Sequence, residues 1–243
     1  MSIRIGEVVS IFRYPVKSMR GERIDAVDVG WHGLEGDRRL AFRRPDDRAG
    51  FPWLTASRLP ELLLYTPHGR TSDGAGALPT HVRLPEGESL GLYAPELAAD
   101  VSRRCGVPVE MVHLNRGIFD EASVSLITSS TIDEVSRLAG QPSDVRRFRP
   151  NILLGTSGSV PFAEDAWAGG VLTFGTASDA LAVCVTNRDE RCAMVNVHPD
   201  TAQVTPEVLR AVAQVRDTRA GVYATVVRRG RLAVGQPVFC EPA

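Results

Sequence analysis

The spacing of apolar positions along the chain predicts mostly short strands. Val8-Val9-Ser10-Ile11-Phe12-Arg13-Tyr14 is rich in β-branched and aromatic residues, and Pro15 closes it. Ile24 to Val29, Leu40-Ala41-Phe42, Leu62-Leu63-Leu64-Tyr65, His81 to Leu84 and Val109 to Leu114 read the same way. So do Val124 to Ile127, Ile152 to Leu154, Val171 to Gly175, Ala180 to Val185 and Ala193 to Val197. Val222 to Val227 and Arg231 to Cys240 form a final pair of strands around Arg229-Gly230. Helical spacing occurs three times. Pro95 to Cys105 puts Leu97, Ala98, Val101 and Cys105 on one face, and Gly106-Val107-Pro108 stops it. Ile132 to Leu138 takes Ser130 or Thr131 as its cap and ends at Gly140. Glu207 to Gln214 has Thr205 as cap and Pro206 at its first position. Turn formers fill Arg44 to Gly50 and Pro67 to Pro79, and Thr156 to Gly170 reads as loop. The helices do not alternate regularly with the strands, which argues against a doubly wound parallel sheet and favours an α+β, β-rich barrel architecture with a few short helices.

The length of 243 residues allows one large domain or two small ones, with ample apolar sequence for a core. The formal net charge of −1 supplies no global field for nucleic acid or an acidic membrane. None of the four cysteines, Cys105, Cys184, Cys192 and Cys240, sits in a C-x-x-C pair, so there is neither a zinc-ribbon nor a thioredoxin-type motif. The N-terminus has no basic segment followed by a long apolar run, and no stretch is long enough to span a bilayer. The expectation is a soluble, cytoplasmic protein whose cysteines stay reduced.

Three polar clusters carry the candidate chemistry. The first is Lys17-Ser18 with Arg20, joined by Arg38. Cations beside hydroxyls and turn amides suit a phosphate or another anion, and solvated loop charge is the plain alternative. The second is Arg146-Arg147-Phe148-Arg149-Pro150-Asn151, which is either an anion and heterocycle site or a basic surface patch. The third is Thr186-Asn187-Arg188-Asp189-Glu190-Arg191-Cys192, read as a charged loop between two strands. A thiol beside Arg191 is either a reactive thiolate able to bind metal or a small hydrophobe that starts a strand and points into the core. Together the clusters suggest a phosphorylated heterocyclic cofactor carrying a metal.

Motifs spread along the chain resemble one family. Tyr14-Pro15-Val16-Lys17-Ser18, Gly36-Asp37-Arg38, Arg147-Phe148-Arg149-Pro150-Asn151-Ile152, Arg191-Cys192 with Val195 to Thr201, and Gly221-Val222-Tyr223 with Val234 to Val238 occur in its order. The sequence is similar to the MOSC superfamily (molybdenum cofactor sulfurase C-terminal domains), in particular to the mitochondrial amidoxime-reducing components and their bacterial relatives. The resemblance implies an N-terminal β-barrel domain over 1–118 and a MOSC β-barrel core over 119–243. It implies molybdenum cofactor (molybdopterin) bound between them, with Cys192 as the metal ligand and catalytic residue. Lys17, Ser18, Arg38, Thr128, Ser129, Arg149, Asn151 and Tyr223 would line the cofactor. The implied activity is reduction of small N-hydroxylated compounds such as amidoximes and hydroxylamines. Nucleic acid and membrane are not implied as partners. The other reading is a cofactor or sulfur carrier without turnover of its own. Two departures stand out. The second cysteine common before the R-C pair is absent, leaving Asn187 to Glu190, and His198 replaces the usual Asp. The chain carries no iron–sulfur cysteine cluster, so a reductase would draw electrons from a separate donor protein. Asp189, Glu190 and His198 are the candidate proton donors.

Overall fold

The computed structural model describes residues 2–48, 50–70 and 78–243. The first half runs β1 (Ile3–Arg13), β2 (Glu22–Ile24), β3 (Ala26–Gly30), β4 (Gly33–Leu34), β5 (Leu40–Arg43), β6 (Thr66–His68), β7 (His81–Arg83), β8 (Ser89–Gly91), α1 (Pro95–Cys105) and β9 (Glu110–His113). The second runs β10 (Val124–Thr128), α2 (Ser129–Ala139), β11 (Ile152–Thr156), β12 (Val171–Phe174), β13 (Leu181–Glu190), α3 (Glu207–Arg216), β14 (Arg219–Arg228), β15 (Gly230–Ala233) and β16 (Pro237–Glu241).

Seven strands close a barrel in the order β1-β11-β10-β14-β13-β12-β16 and back to β1. Closure depends on β1, which pairs antiparallel with β11 (Val8 opposite Leu154, Ile11 opposite Ile152) and with β16 (Ile3 opposite Cys240). The barrel therefore takes one stave from the extreme N-terminus, upstream of residue 118. Its interior packs Val8, Ile11, Leu126, Ile152, Leu172, Phe174, Val183 and Val222, and the small sheet β15-β3-β4 adds Val27, Leu34 and Leu232 to the same core. Strands β10 and β11 are parallel, and α2 supplies the crossover that parallel neighbours need. Gly6 is fixed by close approach: a Cβ there would sit 1.9 Å from the carbonyl oxygen of Gly155 on β11.

A second core lies beside the barrel. Leu40 and Phe42 of β5, Leu62, Tyr65, Val82 of β7, and Leu97 and Val101 of α1 form it, and Val16 and Val197 reach into it from the segments that border the barrel. Helices α2 and α3 pack outside the barrel through Ile132, Val135, Val208 and Val212, against Ile127 and Leu153.

Several elements differ from the sequence pattern. Residues 60–64 form a 3-10 turn rather than a strand, because Pro60 sets its start and the leucines turn Leu62 and Leu63 inward. The segment 186–190 is not a loop: β13 continues through it, paired with β14 as far as Glu190 opposite Arg219. Ala193–Asn196 is a 3-10 turn, not a strand. The cap of α2 is Thr128, whose hydroxyl oxygen accepts from the Thr131 N–H at 3.2 Å, so neither Ser130 nor Thr131 caps it. Helix α3 begins at Glu207 with Pro206, rather than Thr205, at its N-cap, and no side chain caps it. The last strands do not pair with each other: β15 pairs with β3, and β16 with β1 and β12. Within the expected turn 44–50 and loop 67–79, residues 49 and 71–77 lie outside the described residues, while Pro67 and His68 belong to β6. A 3-10 turn, Ala163–Trp167, interrupts the expected loop 156–170.

Candidate functional site

Where the barrel meets the second core, the structure leaves a cavity of about 380 Å³. That is within the range of small-molecule sites. Four of the segments that line it carry most of the candidate residues, and each arrives by a distinct local device.

The turn after β1 brings Lys17 and Ser18. Val16 bridges to Leu40, the Lys17 N–H donates to the Leu40 carbonyl at 2.7 Å, and Ser18 takes a left-handed backbone (φ 66°). Lys17 is buried, donating to Asp120 Oδ1 at 2.8 Å and to the Ile118 carbonyl at 3.2 Å. Burial pushes its pKa below the usual lysine value, with Asp120 opposing. The Ser18 Oγ is buried and has no hydrogen-bond partner among the described residues.

The turn after β4 brings Arg38, also left-handed (φ 47°). Asp37, fully buried, accepts from the Tyr14 N–H at 2.7 Å and from Arg38. Arg38 also donates to the Arg149 carbonyl at 3.0 Å and to Asn151 Oδ1 at 3.2 Å.

The segment before β11 brings Arg147 and Arg149. Arg149 is left-handed as well (φ 51°), and its guanidinium carbon lies 4.2 Å from the centre of the Tyr14 ring, with that of Arg38 at 4.7 Å. Burial, with no carboxylate bound to it, lowers the Arg149 pKa to about 10. Burial likewise pushes Tyr14 up to about 12, and its hydroxyl donates to the Pro150 carbonyl at 3.0 Å. The basic run thus splits. Arg147 and Arg149 are buried at the cavity, and Arg146 lies outside, paired with Asp144 and Asp200.

The end of β13 brings Asp189, Glu190, Arg191 and Cys192. The Cys192 thiol is exposed, with its Sγ 3.7 Å from Ser57 Oγ, so the reading of a core-pointing residue is overturned. Its neighbour Arg191 does not serve it. The Arg191 guanidinium donates to the carbonyls of Ala220 and Phe148, both at 2.7 Å, and pairs with Asp189 at 3.0 Å. Gly221 makes room for it: a Cβ there would lie 2.8 Å from Arg191 Nη2, and its φ of +83° suits glycine. Asp189 is 2 % exposed and accepts from Ser125 Oγ at 3.0 Å. Its burial raises the carboxyl pKa to about 6, against the opposing pull of Arg191 and Ser125. Tyr223, opposite Asn187 on β14, completes the wall, and burial raises its pKa too.

Six of the residues expected at the site therefore line one cavity: Lys17, Ser18, Arg38, Arg149, Cys192 and Tyr223. Asn151 stands behind it, holding Arg38, the Ser125 N–H and the Phe12 carbonyl. Thr128 and Ser129 are not part of this lining. Thr128 caps α2 and donates to the buried Glu164 at 2.8 Å, and Ser129 Oγ donates to the Leu154 carbonyl. His198 is absent from the lining as well, its Nδ1 accepting from the Asp200 N–H at 3.2 Å, whereas Asp189 and Glu190 are present. Asp120, Ser125, Ser57 and Phe51 line the cavity without any flag in the sequence, because each is isolated from the charged motifs and arrives through tertiary packing.

The fold and site define a β-barrel whose rim carries a cationic pocket with an accessible thiol. The chain belongs to the MOSC domain family: the MOSC domain model matches residues 110–239, and the MOSC N-terminal beta barrel domain matches residues 5–103. Among solved structures, the YUAD protein from Bacillus subtilis is similar over 100% of both chains at 14% identity, with a TM-score of 0.55, a likeness of fold. YiiM from Geobacillus stearothermophilus (18% identity, 49% of this chain, 54% of that one, TM-score 0.38) and YiiM from Escherichia coli (14%, 50%, 55%, 0.36) match more weakly. No curated protein matches the sequence. Among the described residues, no helix is long and apolar enough to cross a membrane.

Proposed function

We propose that this chain is a molybdenum-cofactor-binding oxidoreductase that reduces small N-hydroxylated compounds with electrons from a separate donor protein. The observation that carries the reading is the exposed Cys192 thiol in a cavity lined by Lys17, Arg38 and Arg149, with the buried Ser18 hydroxyl left without a partner among the described residues. Those groups fit a phosphorylated pterin with a thiolate-bound metal. A buried hydroxyl lacking a hydrogen bond is costly unless a ligand supplies one, and a buried guanidinium without a carboxylate, Arg149, calls for an anion. Cys192 would ligate the metal, and Lys17, Ser18, Arg38 and Arg149 would hold the anionic and heterocyclic parts. When bound, the cofactor supplies the two-electron redox chemistry that cleavage of an N–O bond requires.

This chain's own part is positioning and proton supply. Reduction of an N–OH group to N–H and water consumes two electrons and two protons. Asp189, with a pKa of about 6, can hold a proton at the cavity wall and release it there, while Ser125 and Arg191 fix its carboxylate. The test uses protein made in a host that synthesises the cofactor. Reduction of benzamidoxime by a chemical electron donor, lost in Cys192→Ser together with bound molybdenum, supports the reductase. Cofactor bound with no turnover of any N-hydroxylated compound favours a carrier.

A further inference from the structure

A second, smaller cavity of about 220 Å³ lies on the other side of Arg149. Its walls include the rings of Phe12 and Tyr14 and the side chains of four arginines, Arg20, Arg23, Arg146 and Arg149, with no carboxylate in the lining.

The charge balance there is incomplete. Arg20 and Arg146 share Asp200, at 3.1 Å and 2.6 Å, and Arg146 also pairs with Asp144 at 2.8 Å. Two carboxylates thus answer two of the four guanidinium groups. Arg23 and Arg149 make no side-chain hydrogen bond or ion pair with any described residue. Arg23 is exposed at the surface, but Arg149 is only 9 % exposed. A buried guanidinium with no acceptor is among the costliest arrangements in a folded chain, and it is relieved when an anion brings its own oxygens. The nearby carboxylates Asp37 and Asp120 are already committed to Arg38 and Lys17. Arginine forks grip phosphate oxygens in pairs, and two uncompensated cations match a phosphate dianion.

We infer that this smaller cavity is a binding site for a phosphate-bearing small molecule, held by Arg23 and Arg149 with Arg20 and Arg146 beside them. The site shares only Arg149 with the thiol-bearing cavity, where the proposed cofactor would also contact that guanidinium; its remaining lining residues are its own.

Isothermal titration of the full chain tests it, with inorganic phosphate as the probe and phenyl phosphate as a second arm. Binding of one phosphate per chain is expected at millimolar concentrations or below. Arg23→Gln, an exposed change that breaks no contact, should weaken it about tenfold, the loss of one charge-assisted hydrogen bond. Arg146→Gln should weaken it similarly. Thermal unfolding of each variant separates lost binding from lost folding, and Arg23→Gln decides if Arg146→Gln does not fold. Tighter binding of phenyl phosphate than of phosphate would identify an aryl phosphate ligand seated on Phe12 and Tyr14. Equal affinity would identify phosphate itself. The inference is overturned if phosphate does not bind. It is also overturned if binding survives Arg23→Gln unchanged and is lost in Lys17→Gln, which would place the anion in the larger cavity.

Discussion

Ser18, Arg38 and Arg149 each hold a left-handed backbone at the rim of one cavity. For residues with a Cβ, such conformations cost about 1–3 kcal/mol each and persist where the surroundings over-determine them. The surroundings here are identifiable: Leu40 holds the Lys17 amide, Asp37 holds Tyr14 and Arg38, and Arg38 holds the Arg149 carbonyl. The chain thus presents its cations and one hydroxyl in fixed directions before any ligand arrives. Ser18→Ala should therefore leave the melting temperature unchanged or slightly raised, since the hydroxyl has no partner to lose among the described residues, while cofactor retention falls. A marked drop in stability would mean that the hydroxyl is bonded within the protein. Asp189 allows a pH prediction. Its pKa is raised from the ordinary 3.8 to about 6, so between those values the folded chain holds a proton that the unfolded chain has released. Its contribution to stability is full below about pH 4 and is lost as pH rises through about 6, by about 3 kcal/mol in total. Denaturant unfolding of the wild type and Asp189→Asn across pH 4–7 should show the difference between them changing in that direction. A difference that does not change with pH would contradict the assignment.

Among the elements, β10 and α2 show how one short stretch serves two ends. Ser125 faces the cavity, and three residues on, Thr128 caps the helix and bonds the buried Glu164. Thr128→Ala removes a cap worth about 1 kcal/mol and strips a donor from a buried carboxylate, which costs about 1–3 kcal/mol more. Urea unfolding should register a loss of about 2–4 kcal/mol, with molybdenum content per folded chain unaltered. Gly6→Ala should be more damaging, because its Cβ would fall on the Gly155 carbonyl and part β1 from β11. A large fall in melting temperature is expected, and a tolerated substitution would show that the barrel closes with more slack. The elements also show what the sequence could reveal. Helix α1 has the bounds its pattern suggested, since Pro95 starts it and a left-handed Gly106 ends it. The tail of β13 was hidden. Asp189 and Arg191 point inward to pair with each other, so buried charge occupies positions where a strand normally shows apolar residues. The cap of α2 was obscured by four consecutive good capping residues, Thr128 to Thr131, of which only the first ends a strand.

At the scale of the molecule, the cavity lies where the second core meets the barrel at the end of β1, the start of β11 and the end of β13. Closure of the barrel by β1 joins residues roughly 140 to 240 apart in sequence, which no local pattern encodes. The motifs Tyr14 to Ser18, Asp37-Arg38, Arg147 to Asn151 and Arg191-Cys192 were legible as separate polar clusters, and the fold makes them neighbours. Their meeting also ties ligand to stability: a cofactor bound only by the folded chain should raise its melting temperature, by an amount that grows with the logarithm of free cofactor over its Kd. The most direct test of the central claim is molybdenum and pterin analysis of the purified chain from a cofactor-competent host, beside Cys192→Ser. The account predicts one molybdenum and one pterin per wild-type chain, with the metal lost in the variant. Wild-type protein free of both metal and pterin would contradict it.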